Sequence, residues 1–306
     1  MGAGLRELRQ RRKSVTSTKK ITKAMELIAA SKIIKAQHAA NEALPYTREL
    51  NRAVAAVATR STWPHPMTRP KNEPDAPHKR AALIFFTSDR GMNGAYSSNA
   101  IKTAARMASR LRAEGKEVKR YAVGKKGIDY LAFRDMEIEA SWSGFSDSPK
   151  YDNARDIANR LIEDFLKPHE EGGVDEIWAV YTRMESMLTQ TPRVRRLLPL
   201  EVVEGLREID PHTATALYDF EPDPETVLNE LMPLYIRSRV WFYLLQSAAS
   251  QLASQQRAMK SATDNAEQLI EDLTRQENQA RQSEITQEIN EIVGGASALS
   301  ESQAAD

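Results

Sequence analysis

The chain has 306 residues, of which 28% are charged and 41% hydrophobic, and a formal net charge of +1. This length allows two domains, and the overall charge gives no bias towards nucleic acid or a membrane surface. There is no cysteine, which excludes disulfides, thiolate metal sites, thiol catalysis and any dithiol switch.

No apolar stretch follows Arg6, so no signal peptide is expected. The opening Met-Gly places Arg6 where a myristoylation site needs Ser or Thr. The longest apolar runs, such as residues 81–86, are too short to span a bilayer. Membrane association is therefore expected only through other proteins.

Residues 5–44 contain neither Gly nor Pro, and Leu5, Leu8, Val15, Thr18, Ile21, Met25 and Ile28 fall mostly three or four apart. That spacing predicts a helix. Pro45 is expected to interrupt it, with a helical pattern resuming over 46–60. Pro64, Pro66, Pro70, Pro74 and Pro77 mark 61–79 as a linker and a domain boundary.

Residues 81–87 form a continuous apolar run, the mark of a strand buried on both faces. A turn at 89–94 precedes a predicted helix over 97–114. Further strands are expected at 118–123, 138–142 and 177–182, and helices at 125–133 and 151–166. Strands alternating with helices predict a parallel sheet with right-handed crossovers, a Rossmann-like α/β domain over 80–214. Residues 191–214 are mixed in character.

Pro222, Pro224 and Pro233 introduce the last element. Residues 234–293, 60 in number, again hold no Gly or Pro. As one helix they would run about 90 Å, too long to bury against a small domain. The complement lies at the other terminus. Residues 1–44 carry ten Lys/Arg against three acids, net +7, and residues 264–293 carry two Arg against eight acids, net −6. The sequence thus predicts an antiparallel coiled coil of the terminal segments 1–60 and 215–306, with the α/β domain inserted between them in sequence.

Chemistry-bearing motifs are few. The Gly91/Gly94 turn sits where a dinucleotide loop would lie, but it offers one GxxG and no G-x-G-x-x-G, and no acid ends the second strand. No P-loop occurs. His38, His65, His78, His169 and His212 are scattered without metal or triad spacing. No catalytic residue, cofactor site or metal site is expected. The basic cluster from Arg9 to Lys23 lacks the interleaved aromatics of a nucleic-acid surface. Along the C-terminal segment, Met259, Ala262, Ala266, Leu269 and Leu273 step by three and four as a seam. Apolar character then shifts to Ile285, Ile289 and Ile292, a change of phase resembling a stutter.

Three stretches carry a family resemblance. Residues 14–37 (SVTSTKKITKAMELIAASKIIKAQ), 87–99 (TSDRGMNGAYSSN) and 257–299, which close on VGGASAL, resemble the gamma subunit of F-type ATP synthases, most closely its actinobacterial versions. Met92 and Asn93 stand where the family usually has Leu-Cys. The resemblance implies a non-catalytic rotor shaft. Its partners would be a hexamer of alpha and beta subunits, an epsilon subunit and a ring of c subunits, at the cytoplasmic face of the cell membrane. It also implies beta contacts at Lys20, Lys23, Met25, Arg281, Gln282 and Thr286, and foot contacts to the c ring and epsilon at Tyr218 and Glu221. Arg257 is the basic residue nearest a family arginine, whose own position holds Gln255. A shaft turning in a sleeve is expected to make few, polar contacts and to avoid a sticky apolar outer face. Two other classes remain. A nucleotide-dependent enzyme would need the missing glycine fingerprint, and a coiled-coil scaffold or nucleic-acid binder would use the basic arm.

Overall fold

The structure, a computed structural model, describes residues 3–60, 67–68, 79–200, 221 and 223–304. It is an α/β chain with a long helix at either end. The elements in order are α1 (Ala3–Arg60), β1 (Arg80–Phe86), α2 (Tyr96–Ala113), β2 (Glu117–Val123), α3 (Lys125–Phe133), β3 (Ala140–Trp142), α4 (Tyr151–Leu166), β4 (Glu176–Met184), β5 (Gln190–Leu198) and α5 (Pro224–Ala304). They fall into two compact units, residues 1–28 with 256–306, and residues 29–255. Helices α1 and α5 contribute to both.

The larger unit is built on a five-stranded sheet in the order β3-β2-β1-β4-β5. The four strands expected from the sequence pair in parallel. Strand β1 is buried from Ala81 onward, and alternate residues serve opposite faces. Ala81, Leu83 and Phe85 pack with Ala104, Met107 and Leu111 of α2 and Leu131 of α3. Ala82, Ile84 and Phe86 face Ile157, Leu161 and Phe165 of α4, together with Val54 and Val57 of α1 and Ile236, Val240 and Tyr243 of α5. Tyr181 stacks on Tyr243 with ring centroids 4.4 Å apart. Further along α5 the contact turns polar. Gln246 accepts from the Met184 N–H at 3.2 Å, and Ser250 donates to the Thr182 carbonyl at 3.0 Å.

Three features differ from the sequence reading. Gln190–Leu198, which takes in the start of the mixed segment, forms β5, which runs antiparallel to β4 and closes one sheet edge. Pro45 does not interrupt α1, which runs unbroken for 58 residues. The turn after it is held by the Thr47 hydroxyl, which donates to the Ala43 carbonyl at 2.9 Å and sits 3.1 Å from Ser238 Oγ, and by buried Leu50, Val54 and Val57. This packing outweighs the cost of about 3 kcal/mol for an interior proline. Helix α5 begins ten residues before the expected start at 234 and runs for 81 residues, through Pro233 and both Gly294 and Gly295. Asp223 caps it, accepting from the Thr226 N–H at 2.9 Å, and Pro224 takes the first helical position, where its missing N–H costs nothing. Most of the 61–79 linker and the boundary near 214 lie outside the described residues.

Candidate functional site

The smaller unit is the antiparallel pairing of residues 3–28 of α1 with 256–304 of α5. Two kinds of contact fix its register. Thr22 and Thr263 bring their hydroxyls to 2.8 Å within the seam. Lys19 meets Glu267 at 2.6 Å, and Arg9 and Arg12 approach the two carboxylate oxygens of Glu277 at 2.9 and 3.3 Å. Hydrogen bonding to the Lys19 ammonium, with its charge, holds the Glu267 carboxyl below its usual range. The opposite charges of the two termini thus meet as named pairs.

The seam itself is shifted from the expected one. Met259, Ala266 and Leu273 are buried, but Thr263 is buried in place of Ala262, and Leu269 is exposed while Ile270 turns partly inward. The inward positions Met259, Thr263, Ala266, Ile270, Leu273, Glu277 and Ala280 alternate steps of four and three, an unbroken coiled-coil repeat. A threonine and a glutamate occupy it because each has a specific partner on α1. On α1, Ile21 and Ile28, expected on the inner face, are exposed.

The residues singled out by resemblance lie at two stations. Lys20 and Lys23 are exposed on α1, Lys23 being paired with Glu26 at 3.1 Å, and Met25 is half-buried. Arg281, Gln282 and Thr286 are exposed on α5, where the Thr286 hydroxyl donates to the Gln282 carbonyl at 2.9 Å. The Thr22–Thr263 level places the first station roughly 20 residues along α5 from the second, about 30 Å at the helical rise. The structure does not gather these residues into one site. Glu221 is exposed, whereas Tyr218 lies outside the described residues. Arg257 is exposed and Gln255 half-buried.

Sequence reasoning missed one feature of this unit. From Ile285 to Gly294 every described side chain of α5 is exposed, including Ile285, Ile289, Ile292 and Val293. With α1 starting at Ala3, the antiparallel register leaves this segment without a partner helix among the described residues. The signal was the phase change of the isoleucines. It marks the end of pairing and an apolar stripe on the outer surface, where few, polar contacts and no sticky apolar face were expected.

The turn that follows β1 in the larger unit is tied down from within the chain. Asp89 follows β1 and accepts backbone N–H groups from Lys125, at the start of α3, and from Ser146, at 3.1 and 2.9 Å. Burial pushes its carboxyl up, but N–H groups of Ser146, Gly144 and Lys125 hold it, on balance, below the ordinary range. The anion-binding end of α3 is thus filled by the chain's own carboxylate. Among the described residues no group of three or more His, Asp or Glu could hold a metal, and no helix is long and apolar enough to cross a membrane.

Two long terminal helices paired by charge, with an α/β sheet inserted in sequence between them, define a stalk-type protein that works through extended surfaces. A family model described as ATP synthase matches residues 4–299. The chain is 58% identical over 315 aligned positions to an ATP synthase gamma chain of Cutibacterium acnes, and 54% identical over 305 to one of Nocardioides sp., with 99% of each chain covered in both cases. Its fold is similar to a chain in the OSCP/F1/c-ring structure of the Euglena gracilis mitochondrial ATP synthase, with a TM-score of 0.64, 16% identity, and 98% and 95% of the two chains covered. It is also similar to one in the central stalk/c-ring structure of the Tetrahymena thermophila enzyme, with a TM-score of 0.56, 22% identity, and 79% and 99% covered. The chain belongs to the ATP synthase gamma chain family.

Proposed function

We propose that this chain is the central-stalk rotor subunit of an F-type ATP synthase. It couples proton-driven rotation of a c ring to the conformational cycling of catalytic sites on beta subunits, and carries no chemistry of its own. The observation that carries this reading is the paired-helix unit, whose α5 residues 285–294 have no partner helix among the described residues, in a chain related over its full length to ATP synthase gamma chains. A tip lined by Ile285, Ile289 and Ile292 presents apolar surface without directional bonds, which suits rotation inside a sleeve of alpha and beta subunits. The side chains at the two stations supply the few contacts whose making and breaking depends on angle. Lys20, Lys23 and Met25 form one, and Arg281, Gln282 and Thr286 the other. Glu221 and Tyr218 belong to the foot, which engages the c ring and epsilon. The complex holds the chain peripherally, at the cytoplasmic face of the cell membrane.

Gln282→Ala tests the reading. It removes an exposed amide and no core contact, so the melting temperature should stay unchanged while ATP synthesis by the reconstituted complex falls several-fold. Full synthesis would remove Gln282 from the working surface. A chain that fails to co-purify with an alpha/beta hexamer would overturn the rotor assignment itself.

A further inference from the structure

On the sheet face covered by α2 and α3 lies a cleft of about 220 Å³ that the rotor role does not use. Its walls include Leu83 and Phe85 of β1, Ala104 of α2 and Leu131 of α3. Three arginines also line it, Arg112 in the last turn of α2, Arg120 on β2 and Arg134 at the C-terminal cap of α3. Arg112 and Arg134 are exposed and Arg120 is half-buried, so the walls are apolar and the cations stand towards solvent.

None of the three arginines is ion-paired among the described residues, although their neighbours are. Arg110 pairs with Glu114 at 2.9 Å, and Lys119 with Glu139 at 3.2 Å. The Arg134 guanidinium lies 5.0 Å over the ring of Tyr130, which also lines the cleft. Stacking of this kind orients the planar fork and leaves its N–H donors free for a bidentate acceptor. Three like charges around one apolar cleft repel one another, and an anion placed among them relieves that repulsion. A cavity of about 150 Å³ is enough for a benzene ring, so this one has room for a ring and a charged head.

We propose that this cleft binds a small amphipathic anion, an apolar body of about one aromatic ring bearing a carboxylate or phosphate. The apolar part would lie against Leu83 and Phe85 and the head among the arginines. The proposal is independent of the rotor reading, since the cleft lies within the larger unit and shares no residue with either station.

The test uses the full-length chain, titrated calorimetrically with phenylacetate and phenyl phosphate and, as the neutral isostere, with phenylacetamide. The anions should bind at least tenfold more tightly than the amide. Arg112→Gln/Arg134→Gln should weaken anion binding at least tenfold while leaving amide binding and the melting temperature unchanged. Ala104→Phe, which fills the cleft, should abolish both, and a circular dichroism melt run alongside reports folding. If fill-in there unfolds the chain, Ser109→Trp on the exposed side of α2 serves in its place. Equal affinity for amide and anions, no binding of either anion at millimolar concentration, or indifference to the arginine substitutions would each overturn the proposal.

Discussion

Asp164 sits in an otherwise apolar face of α4 and accepts hydrogen bonds from Arg160 Nε at 2.7 Å, the Tyr121 hydroxyl at 2.8 Å and Lys167 Nζ at 3.0 Å. Burial pushes its carboxyl up, but these donors pull it further down, leaving it below the ordinary value. A carboxyl depressed in the fold stabilises the chain above its unfolded pKa, about 3.9, and that stability is lost as pH falls through the folded value. Asp164→Asn should therefore cost about 2 kcal/mol at pH 7, a gap to the unmodified chain that narrows below pH 4. Urea midpoints at pH 7 and pH 3.5 measure it, and a gap independent of pH would contradict the account. In the sequence, helix 151–166 was legible from its apolar spacing, but a carboxylate near its end reads as one more solvent-facing charge. Only the position of Tyr121 on β2 shows otherwise. Leu269 and Thr263 mislead in the same way. Hydropathy puts the leucine inside and the threonine out, and the hydroxyl of Thr22 reverses that order.

At the scale of elements, charge complementarity between the termini was legible as a net sign for each segment, while the individual pairs were not. Glu277 matters most among them, because its carboxylate is largely buried and serves both Arg9 and Arg12. Glu277→Gln should weaken the helix pair by about 1 kcal/mol. Amide hydrogen exchange should speed up in residues 3–28 and 256–290, with the sheet's protection unchanged, and added salt should shrink the difference from the unmodified chain. An effect that spreads to β1 would refute a local role. The unread strand β5 has a plain physical cause. Pro192 and the cluster Arg193, Arg195 and Arg196 erase the hydrophobic signature of a strand, and its pairing with β4 comes from the hairpin and not from its own composition. Prolines 45 and 233 misled for the opposite reason, since local propensity yields where flanking turns are well packed.

For the whole molecule, the rotor reading requires twist to pass along α1 and α5, each of which belongs to both compact units without a break in helix. Gln256→Pro, at the boundary between units on α5, should cost about 3 kcal/mol locally. It should abolish coupled synthesis in the reconstituted complex while the sheet keeps its exchange protection. Retained synthesis would show that α5 need not be continuous there. The α/β order, the terminal helix pair and the family were all legible, because each depends on long patterns that survive local exceptions. The exposed stripe near the end of α5 was less so. Its exposed isoleucines are set by where pairing on α1 ends, and the sequence carries that only as a change of hydropathy phase, which does not say which face is left bare. Strand β5 has a further consequence at this scale. An open sheet edge can recruit a second copy by strand addition. One edge of this sheet is the three-residue β3, and the other is β5, bearing three arginines and a proline. A second copy laid along β5 would set like charges against each other, so the edge disfavours self-association of the chain.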